Sequence, residues 1–342
     1  MEDLDVIAPN LNRRQSGVSA TVFSLVPLQN KQLKVSVTGV GIPRDLPRIA
    51  LWRIPFLSRR TRIWHARRNN EMIIGILLKY IFCSKLKLIF TSSSPRKRGA
   101  LTRWLVARMD AIVATTKINA TVMPGSPTVI PHGVDTNGFQ PGESDLFNSN
   151  GQKLIGCFGR IRPMKGTHLF VDAVCQLLPR HPEYSAIIMG RITQQHEEYA
   201  EELKARISQA NLSDRILFMP EQPIAKMAAA YQALSIYSAP SLLEGFGLTP
   251  LEAMACGIPT VASKDVGAFN DQIRDGETGY LVEKDNADAL AAALSKLMSD
   301  DRHLSAAKIS AREHVLADFS LEKEAEALVE LYNQLLAEDQ KS

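Results

Sequence analysis

Two glutamates flank a glycine-rich segment and have a spacing that suits two different hydroxyl-bearing groups. Glu244 precedes Gly245-Phe246-Gly247, and Glu252 lies in a helix predicted to begin at about Leu248. One carboxylate suits a sugar hydroxyl and the other a ribose. The glycines let the backbone approach a ligand, and unpaired N–H groups at the helix start can hold a phosphate or a developing oxyanion. The alternative is a tight turn with solvated glutamates.

A second glycine-bounded segment carries two cations five residues apart. It reads Gly159-Arg160-Ile161-Arg162-Pro163-Met164-Lys165-Gly166 and follows a predicted strand over 153–158. A guanidinium forks onto two oxygens whereas an ammonium acts as a point charge, so Arg160 and Lys165 can grip both phosphates of a diphosphate. The alternative is a pair of solvated loop charges.

The first half of the chain offers a histidine and several arginines at strand ends. His65 ends a predicted strand, where its imidazole can bond substrate hydroxyls, although a lone strand histidine is more often structural. Arg67 and Arg68, which follow it, suit a negative acceptor or a phosphate, as does Arg96 in the next basic segment. The alternative for the first two is solvated charge at a helix start.

Alternating strands and helices must position these residues. The predicted strands cover 5–9, 34–38, 62–65, 87–91, 110–115, 128–131, 153–158, 185–189, 215–219, 234–237 and 259–262, and residues 276–282 are predicted to form a turn and a terminal strand. Such alternation favours parallel sheets, whose carboxyl edges bind ligands. Residues 41–58 contain three prolines and are predicted to be an irregular loop, and the polar stretch 137–152 is predicted to be a linker. The last segments, 287–298, 303–317 and 321–338, are predicted helices.

Length and composition indicate a two-domain globular protein. A chain of 342 residues exceeds one ordinary core, and 45% hydrophobic and 22% charged residues are typical of globular proteins. Four widely spaced cysteines favour neither a disulfide framework nor a zinc site. The acidic first residues predict no signal peptide, and lysines interrupt the most apolar window, 72–90. We therefore expect a cytoplasmic protein.

The net charge of +4 conceals a strong asymmetry. Residues 1–140 hold 21 Lys or Arg against 7 Asp or Glu, whereas residues 141–342 hold 19 against 29. The basic half favours an anionic membrane surface or an acidic glycolipid. Nucleic acid suits the same charge, but the basic residues are not interleaved with a nucleic-acid motif.

The glutamate segment resembles the signature of a known enzyme family. Glu244 to Glu252, followed by Ala253-Met254-Ala255-Cys256-Gly257-Ile258-Pro259, is similar to the signature of the retaining nucleotide-sugar glycosyltransferases of family 4. The resemblance covers nearly the whole chain. It implies the α/β GT-B fold, with two Rossmann-like parallel-sheet domains facing a cleft. Residues 1–138 then bind the acceptor and 139–320 the nucleotide sugar, while the final helix, 321–342, crosses back to the first domain.

The same resemblance implies the roles of individual residues. Arg160 and Lys165 bind the diphosphate, Glu244 holds donor hydroxyls and Glu252 the ribose, and His65 touches the donor sugar. Other donor-binding residues implied by the resemblance are Gly17, Gly190, Arg191, Met219, Pro220, Gly245, Phe246, Gly247 and Leu248. The chain departs from the family's Gly-Gly pairs at two places. Ser16-Gly17 makes a contact between this loop and the donor phosphate less secure, and Ala268, after Gly267, slightly narrows the donor pocket.

The implied mechanism is retaining transfer without metal, cofactor or enzyme nucleophile. The cations offset the charge of the departing diphosphate, and its β-phosphate takes the proton of the acceptor.

The segment Ile63-Trp64-His65-Ala66-Arg67-Arg68-Asn69 is most similar to alphaproteobacterial lipopolysaccharide-core mannosyltransferases. This similarity implies GDP-mannose as donor, an acidic Kdo-containing lipid core as acceptor, and a peripheral position on the inner face of the cytoplasmic membrane. A UDP-sugar with another glycolipid or soluble acceptor remains an alternative. A nucleotide-sugar epimerase of the GT-B class fits the glutamate spacing less well, and a basic membrane- or nucleic-acid-binding module is a remote alternative.

Overall fold

The computed structural model describes residues 4–12, 17–93 and 98–340 of the chain. Two compact units are present, one formed by Met1–Gly133 with Leu321–Ser342 and the other by Val134–Ser320. The chain enters the second unit slightly before the predicted boundary at residue 138, because the Val134 N–H already donates to the Phe319 carbonyl. Arg96, predicted to bind the acceptor, and Ser16 lie outside the described residues.

In the described part of the first unit, six parallel strands form one sheet in the order β2-β1-β3-β4-β5-β6. The strands are β1 (Val6–Asn10), β2 (Val35–Gly39), β3 (Arg62–Ala66), β4 (Leu86–Ser92), β5 (Ala111–Ala114) and β6 (Thr128–Val129). The helices between them are α1 (Gly17–Gln29), α2 (Asn69–Tyr80), α3 (Ala100–Val106) and α4 (Lys117–Thr121). Strands β1 and β3 are buried along their whole length, as expected where helices cover both faces of a parallel sheet.

The second unit contains another six-stranded parallel sheet within the described residues, in the order β12-β11-β10-β7-β8-β9. Its strands are β7 (Lys153–Phe158), β8 (Tyr184–Met189), β9 (Ile216–Met219), β10 (Ile236–Ala239), β11 (Thr260–Ser263) and β12 (Gly279–Val282). Its helices are α5 (Thr167–Leu177), α6 (Glu197–Gln209), α7 (Met227–Gln232), α8 (Thr249–Ala255), α9 (Phe269–Gln272), α10 (Ala287–Met298) and α11 (Asp301–Asp318).

The last helix, α12 (Leu321–Gln340), returns the chain to the first unit, where it packs against α1 and β3. Leu328 and Tyr332 are buried there. The predicted α/β fold with two parallel sheets is therefore confirmed. Two local predictions were wrong: the proline-containing segment 41–58 includes a short 3-10 helix over Leu51–Phe56, and β10 begins two residues later than predicted.

In each sheet there is one pair of neighbouring strands at which the strand order reverses, so that successive strands are added on opposite sides. In the first sheet this switch point lies between β1 and β3, and in the second between β7 and β10. Loops leave such a pair of strands in opposite directions and open a crevice at their carboxyl ends, which is where open α/β sheets bind ligands. Lys165 and Glu244 lie in the loops that follow β7 and β10, at the second of these places.

The four cysteines are free, and no helix among those described is both long and apolar enough to cross a bilayer.

Candidate active site

The loop after β7 reaches across to the end of β10. Gly166 adopts a left-handed conformation, with φ of +67°, and a Cβ atom at this position would lie 1.8 Å from the Pro240 carbonyl oxygen. Only glycine permits this close approach. The loop therefore passes directly over the switch point, and the Lys165 side chain lies back across Gly159.

Lys165 and Glu244 meet at this point. Their ammonium and carboxylate form an ion pair, and the side chains are 18% and 14% exposed. Ser241 donates a hydrogen bond of 3.1 Å to the same carboxylate oxygen of Glu244. Arg160 lies exposed at the carboxyl end of β7, in the same loop. The structure thus brings together Lys165, predicted to bind a diphosphate, and Glu244, predicted to hold donor hydroxyls, which the sequence had placed in separate motifs.

The glycine segment after Glu244 is fixed by contacts with the following loop. Phe246 is buried, and its carbonyl accepts a hydrogen bond of 2.9 Å from the Ala268 N–H. Gln272 Nε2 donates to the Gly247 carbonyl at 2.9 Å. Ala268, the departure from the family's Gly-Gly pair, is itself buried and so fits the backbone arrangement. Helix α8 then begins at Thr249 and is only seven residues long.

Glu252 lies one turn into α8 and is held by a tyrosine. The Tyr231 hydroxyl donates a hydrogen bond of 2.7 Å to Glu252 Oε2. Burial raises the pKa of Glu252 above its ordinary value, while the Tyr231 hydrogen bond and the charge of Lys165 oppose this shift. Tyr231 belongs to an alanine-rich helix with no motif character, so the sequence carried no signal for this contact.

The other predicted donor-binding residues of the second unit lie at the same edge of its sheet. The Gly190 N–H donates to the Met219 carbonyl at 3.2 Å, and the Ile161 N–H donates to the Arg191 carbonyl at 3.1 Å. The ends of β7, β8 and β9 are thus joined beside the loop that carries Arg160. Pro220 is exposed next to them. Gly17 belongs to the other unit, where it begins α1.

Arg68 is held by a buried carboxylate in the first unit, and its predicted contact with a negative acceptor does not fit this placement. Its guanidinium pairs with Glu71 at 2.8 Å and donates to Asn10 Oδ1 at 3.0 Å and Ser19 Oγ at 2.9 Å. Glu71 is fully buried and also accepts from the backbone N–H of Arg67 and Arg68. The Arg68 side chain therefore links the carboxyl ends of β1 and β3.

His65 is fully buried, and both ring nitrogens already have partners. Nδ1 shares a hydrogen bond of 2.5 Å with the Tyr332 hydroxyl, and Nε2 shares one of 2.6 Å with Thr91 Oγ1. Burial, with a smaller contribution from Arg67, lowers the pKa of His65 well below its ordinary value, so the ring is neutral. The predicted contact with the donor sugar does not fit this arrangement, because no ring nitrogen is available to a hydroxyl.

Comparison with known proteins identifies the family. The family model for glycosyl transferases group 1 matches residues 143–314. The lipopolysaccharide core biosynthesis mannosyltransferase LpcC of Rhizobium leguminosarum bv. viciae is 45% identical over 351 residues, covering 99% of each chain. The chain belongs to the group 1 glycosyltransferases. The similarly named LpsB of Rhizobium meliloti strain 1021 is 41% identical, covering 98% of this chain and 99% of its own.

The structural comparison agrees with this family. The glycosyltransferase superposes on Anabaena HepE, solved in complex with UDP, with a TM-score of 0.82 over 97% of this chain and all of HepE, at 17% identity. Similarity at this level of identity concerns the fold alone. The GT-B fold predicted from the sequence is confirmed, as is the prediction that the chain is a glycosyltransferase.

Proposed function

We propose that this glycosyltransferase transfers mannose from GDP-mannose to the acidic, Kdo-containing inner core of lipopolysaccharide. Two relatives named as lipopolysaccharide core mannosyltransferases align with it over nearly their whole length, which supports the mannosyl and core assignments. The observation that carries the proposal is the Lys165–Glu244 pair at the switch point of the second sheet, because it joins a phosphate-binding cation to a sugar-binding carboxylate.

In this proposal the second unit holds the donor. An ammonium has three N–H donors, and Glu244 uses one of them, so Lys165 can bind the diphosphate while it orients Glu244. Arg160, in the same loop, can donate two parallel hydrogen bonds from its guanidinium group to the diphosphate oxygens. Glu252, oriented by Tyr231, accepts hydrogen bonds from the ribose. The assignment rests on these side chains rather than on the dipole of the short helix α8.

The arrangement of Glu244 also supports transfer without an enzyme nucleophile. A carboxylate that already binds Lys165 and Ser241 is suited to holding donor hydroxyls and less suited to attack on the anomeric carbon. We infer that the β-phosphate takes the acceptor's proton as the new bond forms on the face that the diphosphate leaves. Arg160 and Lys165 then supply the positive charge that the departing diphosphate requires, in place of a metal ion.

The first unit is proposed to bind the acceptor at the carboxyl ends of β1 and β3. Arg67 remains partly exposed there, and one of its N–H groups lies 3.3 Å from the His65 carbonyl. Arg68 and His65 act as positioning residues, because their polar atoms are bonded within the protein. The basic character of residues 1–140 favours peripheral attachment to the inner, cytoplasmic leaflet, where an acidic glycolipid is accessible.

A nucleotide panel tests the donor assignment. Thermal unfolding is measured in EDTA with GDP, UDP and ADP and with their common sugars. A ligand at about 100 times its Kd adds about 2.7 kcal/mol to the free energy of unfolding. A shift with GDP and GDP-mannose alone is expected. A shift with UDP-sugars alone would replace the donor by the UDP-sugar alternative, and no shift with any nucleotide would contradict the donor site itself.

A further inference from the structure

A cavity of about 270 Å³ opens in the first unit, at the amino-terminal edge of its sheet. Its lining includes Arg62 and Leu86, which are the first residues of β3 and β4. The predicted acceptor residues follow the other ends of these strands. The cavity is therefore separate from the proposed acceptor site, and all of its lining residues belong to the first unit.

The rim of this cavity is apolar and unusually exposed. Phe56 and Phe82 both line the cavity and are 82% and 57% exposed, and Ile81 beside them is 66% exposed. Tyr80, at the end of α2, is 60% exposed. Scattered exposed apolar residues are ordinary, but large side chains gathered around one opening mark an interaction surface.

The cavity and its surroundings are also basic. Arg59 and Lys85 line it and are exposed, while Arg62 lies buried in its wall and donates to the Ser58 carbonyl at 2.6 Å. Two acidic residues near this surface are already engaged: Asp5 pairs with Arg60, and Asp110 pairs with Lys79. The described residues that line the cavity include three cations, Arg59, Arg62 and Lys85, and no acidic residue.

Aromatic rings and cations are paired around the same opening. The Lys79 ammonium lies 5.8 Å from the centre of the Tyr80 ring, and the Arg53 guanidinium lies 5.3 Å from that of Trp52. Trp52 is 68% exposed. Side chains with an apolar body and a charged or polar tip are favoured at the boundary between hydrocarbon and headgroups. A protein partner matches apolar area equally well, but it provides no reason for cations beside the exposed rings of Trp52 and Tyr80.

We propose that this docking surface, formed by residues 52–60 and 79–85, binds an anionic phospholipid bilayer, with a headgroup phosphate in the basic cavity. The aromatic rim enters the region between headgroups and acyl chains, and the cations bind the phosphates. The inference extends the peripheral attachment in the proposed function by naming the surface that makes it and the lipid chemistry that it recognises. A single apolar loop would bind neutral and anionic bilayers alike, whereas this surface distinguishes them.

Vesicle sedimentation with the full chain tests the docking surface. Vesicles of phosphatidylcholine alone are compared with vesicles that also contain phosphatidylglycerol, and binding is expected only to the latter. Replacing Arg59 and Lys85 together by Gln is expected to weaken binding about 25-fold, since each cation near an anionic surface contributes about fivefold. Replacing Phe56 and Phe82 together by Ser removes the inserted rings and is expected to weaken binding at least about tenfold.

Matched substitutions in the second unit provide the controls. Ile224 is 87% exposed and Arg302 is exposed, so Ile224→Ser and Arg302→Gln remove the same kinds of group elsewhere. Equal binding to both vesicle types, or equal losses in variants and controls, would contradict the proposal. Concentration-dependent dimers that the Phe56 and Phe82 substitutions abolish would assign the surface to a second copy of the chain instead.

Two further measurements separate the possible sources of the signal. In the first, inorganic phosphate alone stabilises the wild type but not the Arg59/Lys85 variant, while neither protein binds vesicles. That result would indicate a site for free phosphate and overturn the lipid assignment. Stabilisation by GDP is measured in the same variants and should equal that of the wild type. Vesicle binding without any nucleotide response would leave the docking surface intact and contradict only the donor assignment.

Discussion

Lys165 and Glu244 form an ion pair between the loops that follow two neighbouring strands, β7 and β10. The pair is mostly shielded from solvent, and the close approach of Gly166 to Pro240 fixes the loop that carries the lysine. Charges that are already oriented require little reorganisation when a diphosphate departs, which is the condition for effective electrostatic catalysis.

Lys165→Ala is expected to lower kcat/KM for sugar transfer about 100- to 1000-fold, because one preorganised donor to a developing negative charge is removed. The measurement is initial-rate kinetics with GDP-mannose, with circular dichroism to verify folding. Lys226→Ala, at the surface of the same unit, serves as the control.

The lysine substitution also leaves the Glu244 carboxylate without its cation. The double variant Lys165→Ala/Glu244→Gln distinguishes this effect from loss of the phosphate contact. Near-normal activity of either variant would contradict the diphosphate assignment of Lys165.

Glu252→Gln is expected to weaken GDP binding about tenfold or more, since hydrogen bonds to a charged group contribute about 1.5–3 kcal/mol. Calorimetric titration provides the measurement, with Glu283→Gln as an exposed control. Because burial raises the pKa of Glu252, wild-type affinity should fall on acidification at a higher pH than for an ordinary carboxylate. Unchanged affinity in Glu252→Gln would remove the ribose assignment.

Gly166→Ala is expected to destabilise the second unit by at least about 2 kcal/mol, because left-handed strain is combined with a backbone clash at Pro240. Gly276→Ala is the matched control: its φ is +82°, but nothing lies within 4 Å of an added Cβ. Chemical denaturation of both variants gives the comparison. Equal losses of stability would mean that the approach to Pro240 has no importance.

His65 makes stability depend on pH in a defined direction. Its pKa in the folded protein lies well below that in the unfolded chain, which is about 6.5. As pH falls below about 6.5 the unfolded state gains a proton that the folded state does not, so the free energy of unfolding decreases by up to about 1.4 kcal/mol per pH unit. The pH dependence of stability should be weaker in His65→Gln. Part of it should remain, because the pKa of His314 is also lowered in the folded protein.

Urea unfolding of both proteins from about pH 7.5 to about pH 5 measures the difference. The variant should be less stable than the wild type at neutral pH, because it loses the hydrogen bonds to Tyr332 and Thr91. Its KM for the donor should nevertheless stay close to that of the wild type. A donor KM raised more than about tenfold would restore the direct sugar contact that the sequence predicted.

The sequence by itself determined the family, the two parallel sheets and the positions of the loops that are proposed to carry the donor site. These features depend on local chain properties: apolar strands alternating with helices, glycines where the backbone must turn, and cations within one short loop. Gly159-Arg160 and Glu244 could be placed at strand ends for this reason. The order of the strands in the sheet, which decides which loops are neighbours, could not be predicted in this way.

Only the tertiary structure decided which side chains meet. Lys165 and Glu244 are 79 positions apart, and His65 and Tyr332 are 267 apart. A strand buried on both faces shows no alternation, so the sequence gives no sign that a polar residue such as His65 is enclosed. Burial and hydrogen-bond partners depend on elements that arrive from far along the chain. The internal bonds of His65 and Arg68 therefore do not fit the contacts predicted for them, whereas the roles of the glycine-bounded loops stay predictions.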